Sequence, residues 1–285
     1  MLGKELATIL GAAVGDAVTV VTPQVSITPV GEQVVSQAQR VLEEAGVVRE
    51  IARQGRNQLA GPLRLGAIYT IGPYLLPNLV PILTESAPEM PLVIEENYTA
   101  VLAEKLKRGE LDVIVISLPF EEPGVLTLPL YREPFVLLLP SSHPLNQKQD
   151  FSVADLKQED VLLLGAGHCF RDQVLEFCPE CRKQGSRYSN SIQSTIEGGS
   201  LETIRYMVAS GLGITILPCT ACGADRHSGP LYRSMSFADM EPSRVIAIAW
   251  RKSFPRLEAV SLIRDVIGDN LPECVRAVAG VEEST

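Results

Sequence analysis

Small apolar residues recur in alternating steps of four and three at Val34, Ala38, Val41, Ala45, Val48 and Ala52, while Glu32, Gln39, Glu43, Glu44, Arg49 and Glu50 fill the positions between. That is a heptad seam. It predicts a helix over roughly 29–53 that lays a narrow apolar stripe against a second helix, in a dimer or on the following domain. The polar, glycine-bearing stretch RQGRNQLAGP (53–62) ends it.

Beyond the linker, short apolar runs alternate with helical patterns. Strands are expected at PLRLGAI (62–68), PLVIEE (91–96), LDVIVISL (111–118), EPFVLLLP (133–140), VLLLG (161–165), GITILP (213–218) and VIAIAW (245–250). Helices are expected at LLPNLVPILTES (75–86), AVLAEKLKRGE (100–110), SLETIRYMVAS (200–210) and PRLEAVSLIRDVIG (255–268). LDVIVISL is almost continuously apolar, as a strand covered on both faces must be. The fold class is therefore α/β, with EPFVLLLPSSHPL as a crossing from one lobe to another and the last strand and helix returning to the first.

Composition narrows the chemistry. A chain of 285 residues that is 46% hydrophobic can bury a full core. Its net charge of −9 and pI near 5.0 give it no general attraction for phosphate backbones, so any nucleic-acid contact is local or made by something not in this chain. No stretch reaches the roughly 18 uninterrupted apolar residues of a membrane span. The opening Met1-Leu2-Gly3-Lys4-Glu5 lacks the basic and apolar regions of a signal peptide. A cytoplasmic protein without membrane contact, cofactor or resident metal is expected, and six cysteines in a reducing compartment are inert thiols, metal ligands or redox-responsive groups rather than a static framework.

The densest chemistry lies in GHCFRDQVLEFC (167–178), where two cysteines stand nine positions apart with His168, Arg171 and Asp172 around the first. A cysteine attacks peroxide only as the thiolate, so a reactive one needs nearby positive charge or donors, partial exposure and a second thiol to trap the sulfenic acid. His168 and Arg171 offer charge or donors to Cys169, and a helix starting there would add its dipole. Two further patterns compete: Cys178-Pro-Glu-Cys181 and Cys219-Thr-Ala-Cys222 are paired C-x-x-C knuckles, although their 37-residue gap exceeds the usual zinc spacing. Cys178 and Cys181 could alternatively be a redox pair of their own, with Pro179 between them, although no surrounding thioredoxin pattern supports that. His143 and His227 read as surface or turn residues, Ser200 as a helix cap, and Cys274 as a bystander.

QVSITPVGEQVV, the heptad helix behind it, GPLRLG, LKRGELDVIVI, EPFVLLLPSSHPL and SLETIRYMVASGLGITILP together resemble the LysR-type transcriptional regulators, over roughly 24–268. Within that family GHCFRDQ and GPYLLPNLVP are similar to the hydrogen-peroxide-sensing OxyR branch. The resemblance implies a two-lobed, periplasmic-binding-protein-like regulatory domain behind a long linker helix. Its parts are an unmatched start with a wing-like remnant (1–28), a dimerisation helix (29–58), an effector domain (61–275, lobe I about 61–132 and 240–275, lobe II about 133–239) and a tail (276–285).

By the same resemblance Cys169 matches the peroxidatic cysteine and Cys178 the resolving one. His168, Arg171 and Asp172 match flanking residues, and Thr70 in IYTIGP and Thr99 in ENYTAV match threonines around a peroxide pocket. The resemblance further implies a regulator rather than an enzyme, acting as a homodimer or homotetramer, with hydrogen peroxide as effector and RNA polymerase as downstream partner. Only the wing-like VSITPVG remains of the winged helix-turn-helix that opens family members, so promoter DNA is a partner only where that module is restored. The stretch CPECRKQGSRYSNSIQSTIEGG leaves the resolving role open between Cys178 and Cys181. Were residues 169–178 helical throughout, nine steps of about 1.5 Å would hold the two Cα atoms roughly 13 Å apart, against the ~7 Å that a disulfide tolerates. Bonding them would require the segment to unwind, and Trp250 or Tyr188 could report it. The alternatives are a two-lobed small-molecule binder indifferent to peroxide, and a zinc protein.

Overall fold

The computed structural model describes residues 57–148, 151–159, 161–182, 199–222 and 231–278, with isolated positions between Thr28 and Ala45. The chain separates into two units, Met1–Leu42 and Glu43–Thr285. In the first, Val30, Gly31, Val34, Gln37, Ala38 and Val41 are helical, and Val30, Val34 and Val41 lie exposed. Thr28 Oγ1 accepts the Gly31 N–H at 3.1 Å, the cap expected of a threonine at a helix start. The remainder of residues 1–56, the stretch 183–198 with Tyr188, and His227 lie outside the described residues.

The second unit begins with strand β1 (Leu63–Ile68), helix α1 (Gly72–Ser86), β2 (Leu92–Asn97), α2 (Thr99–Lys107) and β3 (Val113–Ser117). Both β2 and β3 pair with β1 in parallel, as strands joined by helical crossovers do. Every residue of β3 is buried, so its β-branched VIVIS sequence needs no polar face. Gly66 lets α2 settle close on the sheet: a Cβ there would come within 3.0 Å of Leu111, Leu102 and Ile114. In α1 the buried Leu76, Leu79 and Leu83 recur at helical spacing and face the same core.

The chain then enters β4 (Val125–Pro140), whose first part pairs with β8 (Ser243–Arg251) and whose last part pairs with β6 (Ile214–Pro218) and β7 (Tyr232–Met235). One strand thus belongs to both lobes. The second lobe adds β5 (Val161–Leu162), α3 (Cys169–Phe177), α4 (Leu201–Ala209) and the single turn α5 (Cys219–Cys222). Helix α6 (Leu257–Asp269) and β9 (Arg276–Ala277) follow β8. The sheet runs β2-β1-β3-β8-β4-β6-β5, with β7 and β9 also on β4.

Two separate cores fill the lobes: Leu65, Leu102, Ile114, Ile248 and Ile263 in one, and Phe135, Phe151, Val174, Ile204 and Ile216 in the other. No described helix is long and apolar enough to cross a membrane.

The strand expected at 133–140 starts eight residues earlier, at Val125. Pro129 and the exposed Leu126 and Thr127 interrupt the apolar run there, and only pairing with β8 reveals the strand. Conversely, of VLLLG only Val161 and Leu162 pair with β6, because the chain then leaves the sheet toward α3.

Candidate functional site

Ligands collect at the carboxyl ends of parallel strands because the following loops and helix N-termini converge there. Here β1 and β2 end in register at Ile68 and Asn97, and each is followed by a Tyr-Thr pair: Tyr69-Thr70 and Tyr98-Thr99. The second lobe faces these ends with the turn into α3. Gly167, at φ +94°, takes a backbone conformation that glycine alone enters readily, and a Cβ there would touch the Tyr98 ring at 3.5 Å. His168 follows, its ring 4.8 Å from that of Tyr98 and 6.1 Å from that of Tyr69, while the two tyrosines meet edge to face at 5.3 Å. The result is an aromatic wall across the cleft.

Cys169 is the first residue of α3, a free and half-buried thiol that packs against the first lobe's core. Because the His168 side chain makes no capping bond, the positive end of the helix dipole is left to whatever stands at its start. Of the two expected cationic neighbours, His168 does not supply charge. Burial lowers the His168 pKa, so its imidazole is neutral and acts as a donor or acceptor. Arg171 Nη1 donates instead to the Leu164 carbonyl at 2.6 Å and braces the turn, and Asp172 points to solvent. Two polar atoms here, His168 Nε2 and Thr99 Oγ1, are buried without a hydrogen-bond partner among the described residues.

The His168 environment has a measurable consequence. With its folded pKa below the unfolded value of 6.5, the unfolded chain binds the extra proton first. Stability is therefore lost as pH falls through about 6.5 and levels off below the folded pKa. Urea midpoints at pH 7 and pH 5 should show wild type losing ground on His168→Gln toward acid, and a constant difference would contradict the assignment.

Thr70 is placed differently from Thr99. It is buried, its Oγ1 accepts from Arg244 Nη1 at 2.8 Å and its carbonyl from Arg244 Nη2 at 2.9 Å. Arg244 Nε also donates to Glu133 at 2.7 Å, and the Thr220 hydroxyl donates to the other Glu133 oxygen. This hub ties β1, β4, α5 and β8 together where the lobes meet. Two lighter ties cross the same boundary: Gln173 of α3 donates to Ser117 Oγ at 2.8 Å, and the Tyr74 hydroxyl donates to Glu202 at 2.7 Å.

Cys178 caps the far end of α3 and is bonded to Cys181, with the Cα atoms 5.6 Å apart. The pairing of Cys169 with Cys178 implied by family likeness is thus not the one seen here. Intact α3 keeps those two about 13 Å apart, while the 3₁₀ turn Pro179–Arg182 folds Cys181 back over Cys178. Cys274 is no bystander, since it bonds Cys219. The C-x-x-C pairs therefore do not converge as a four-thiol knuckle, and burial pushes the remaining Cys222 thiol up to about 12, which leaves it unreactive. Ser200 caps α4 by accepting from the Thr203 N–H, and His143 caps a 3₁₀ turn at Leu145.

Trp250 pairs with Val113 and Leu126 in the first lobe, six residues along β8 from Arg244, roughly 20 Å, and is poorly placed to sense α3. Tyr69, Tyr98, Gln173, Glu133 and Arg244 were not anticipated; the repeated Tyr-Thr at two strand ends was the one local signal.

The LysR substrate binding domain family matches residues 56–272. A probable hydrogen peroxide-inducible genes activator from Streptomyces viridosporus is 34% identical over 252 residues, 87% of this chain and 79% of that relative. The DNA-binding transcriptional dual regulator OxyR of Escherichia coli is 36% identical over 233 residues, 81% of this chain and 73% of that protein. Among solved structures, a full-length OxyR from Pseudomonas aeruginosa bearing a cysteine-to-aspartate change is similar at 47% identity and TM-score 0.73, covering 95% of this chain and 87% of that one.

Proposed function

The chain belongs to the LysR substrate-binding-domain family, and from that premise we propose that it is the sensing part of a hydrogen-peroxide-responsive transcriptional regulator of the OxyR kind. Cys169 is the thiol that meets peroxide and Cys178 the one that resolves it. The observation that carries this reading is the placement of Cys169: half-buried, at the free N-terminus of α3, beside the aromatic wall and two unpartnered polar atoms. His168 Nε2 and the Thr99 hydroxyl are suited to hold a peroxide. The Cys169 thiolate attacks one peroxide oxygen, the O–O bond breaks, and the leaving hydroxide takes a proton to become water. The Cys178 thiol then displaces water from the Cys169 sulfenic acid and the disulfide forms. Arg171 and Asp172 support the turn and first helical turn around this centre, and Thr70 ties it to the hub.

The conformational signal follows from distance. Bonding Cys169 to Cys178 dismantles α3 and re-exposes Phe170, Val174 and Leu175, buried in the helical state. At about 1.5–3 kcal/mol per side chain, that costs roughly 4.5–9 kcal/mol. For a two-electron couple this raises the reduction potential by roughly 100–190 mV over an unstrained dithiol, which suits a reversible switch.

The reading is of a regulator consumed and reset rather than a turning-over enzyme. Exposed apolar helical positions such as Val34 and Val41 support association with a second copy through the linker helix. Promoter DNA and RNA polymerase are partners of the regulator to which such a domain is joined, in the cytoplasm.

The test begins from fully reduced protein, because Cys178 must be free. One equivalent of peroxide should yield a Cys169–Cys178 linkage in non-reducing peptide maps of early-quenched samples, and its absence at every time point, in the unaltered chain and in Cys181→Ala alike, would reject the reading. A groove of about 720 Å³ beside α3, lined by Phe120, Phe135, Gln173 and Phe177, favours a second reading as an organic-effector binder. That one requires a ligand-raised melting temperature and indifference to peroxide.

A further inference from the structure

The segment 169–181 offers its disulfide two places, and they ask opposite things of α3. With Cys178 bonded to Cys181, α3 is helical from Cys169 to Phe177 and its three apolar residues are buried. The turn Pro179–Arg182 makes this bond locally, with the Cys181 N–H donating to the Cys178 carbonyl at 3.1 Å. With Cys178 bonded to Cys169, nothing of α3 can remain intact across a span of about 13 Å. Both arrangements hold one disulfide and are at the same oxidation level. Conformation therefore follows the position of the bond, and the structure shows an oxidised pair coexisting with the unswitched helix.

We propose that Cys181 resets the switch by thiol–disulfide exchange. The Cys181 thiol gives up its proton and attacks the Cys178 sulfur. A Cys178–Cys181 bond forms as the Cys169–Cys178 bond breaks, and Cys169 departs as a thiolate that takes up a proton. No electrons enter or leave, and no further oxidant or reductant is needed beyond the single hydrogen peroxide that made the first bond. Cys181 lies three residues from Cys178, so it remains within reach of that sulfur however α3 is arranged. Refolding of α3, with reburial of Phe170, Val174 and Leu175, drives the exchange toward Cys178–Cys181.

This role rests on the peroxide-sensing reading above and adds a consequence to it. After the exchange Cys169 is a free thiol again, but Cys178 is engaged, 1% exposed, with Cys181 at 2%, in the second lobe's core. A second peroxide then carries Cys169 to a sulfenic acid with no partner to trap it. The chain signals once, and it signals again only after a dithiol reductant opens the buried pair.

A time course on the whole chain tests this. Reduced protein receives one equivalent of peroxide, is quenched with an alkylating agent at intervals, and is mapped without reduction, the Cys219–Cys274 pair being followed separately. The Cys169–Cys178 linkage should appear first and be replaced by Cys178–Cys181 with the number of disulfides in this segment unchanged. In a Cys181→Ala chain the first linkage should persist at least ~10-fold longer. Two results overturn the reset while leaving the sensor standing: a Cys169–Cys178 linkage that decays no faster in the unaltered chain than in Cys181→Ala, or a Cys178–Cys181 bond that forms equally fast in Cys169→Ser. Absence of any Cys169–Cys178 linkage in both chains removes the sensing reading and the reset with it. The time course in the unaltered chain needs no variant, so a poorly folding substitution does not shield the proposal.

Discussion

Changing Cys169 to serine leaves a chain that folds but does not answer peroxide. The hydroxyl is about the size of the thiol and keeps the start of α3, yet it forms no anion at neutral pH and cannot take an oxygen from peroxide. Three readouts should fall together: the Cys169–Cys178 linkage is absent, amides of residues 169–177 keep their hydrogen-exchange protection after oxidant, and the Cys178–Cys181 bond forms more slowly than in the unaltered chain. Cys222→Ser is the control. Its thiol is pushed up to about 12 by burial, so it does not compete for peroxide and its loss should leave the response whole. Protection in α3 that still collapses in Cys169→Ser would place the reactive thiol elsewhere. The readout is chosen at α3 because the tryptophan sits on the distant part of β8.

Replacing Arg244 by methionine should be the most destabilising single change at the lobe boundary. The Arg244 and Glu133 side chains are 0% and 1% exposed, and the guanidinium also donates to the Thr70 hydroxyl and carbonyl. Removing it strands a carboxylate in the interior, a loss of about 3–5 kcal/mol, which for a domain of this size lowers Tm by about 6–20 °C. Adding Glu133→Gln to Arg244→Met should recover part of that loss, because the penalty comes from the unpaired charge rather than the missing pair. A melting temperature unmoved by Arg244→Met would mean that the hub does not hold the lobes. Arg244 lies 5.3 Å from the Phe170 ring, so the variant should also loosen the first turn of α3 and raise the rate of Cys169 oxidation.

How much of this could be read from the chain depends on how far apart the interacting residues lie. Hydrophobic runs located β1, β3, β6 and β8 within a residue or two, because burial of a strand writes itself into consecutive positions, and the short apolar run of β2 was as legible although Val93 and Ile94 lie exposed. The start of a helix at Cys169 and the nine-residue spacing to Cys178 were equally local. The first half of β4 was not, since it carries a proline and exposed positions and exists as a strand through its pairing with β8, more than a hundred residues on.

The site divides along the same line. Sequence alone determined the α/β class, the reactive motif, its family likeness and the fact that an intact helix would separate the two thiols. Tertiary structure alone decided that Cys178 is bonded to Cys181 and Cys219 to Cys274, that His168 beside Cys169 is buried neutral, and that Arg171 donates to the Leu164 carbonyl. It also decided that Arg244 and Glu133, 111 residues apart, form the joint between lobes. Periodicity reports which face of a segment is buried. It carries no record of which distant segment covers that face, and bond partners, burial of a titrating ring and the hub all depend on that covering.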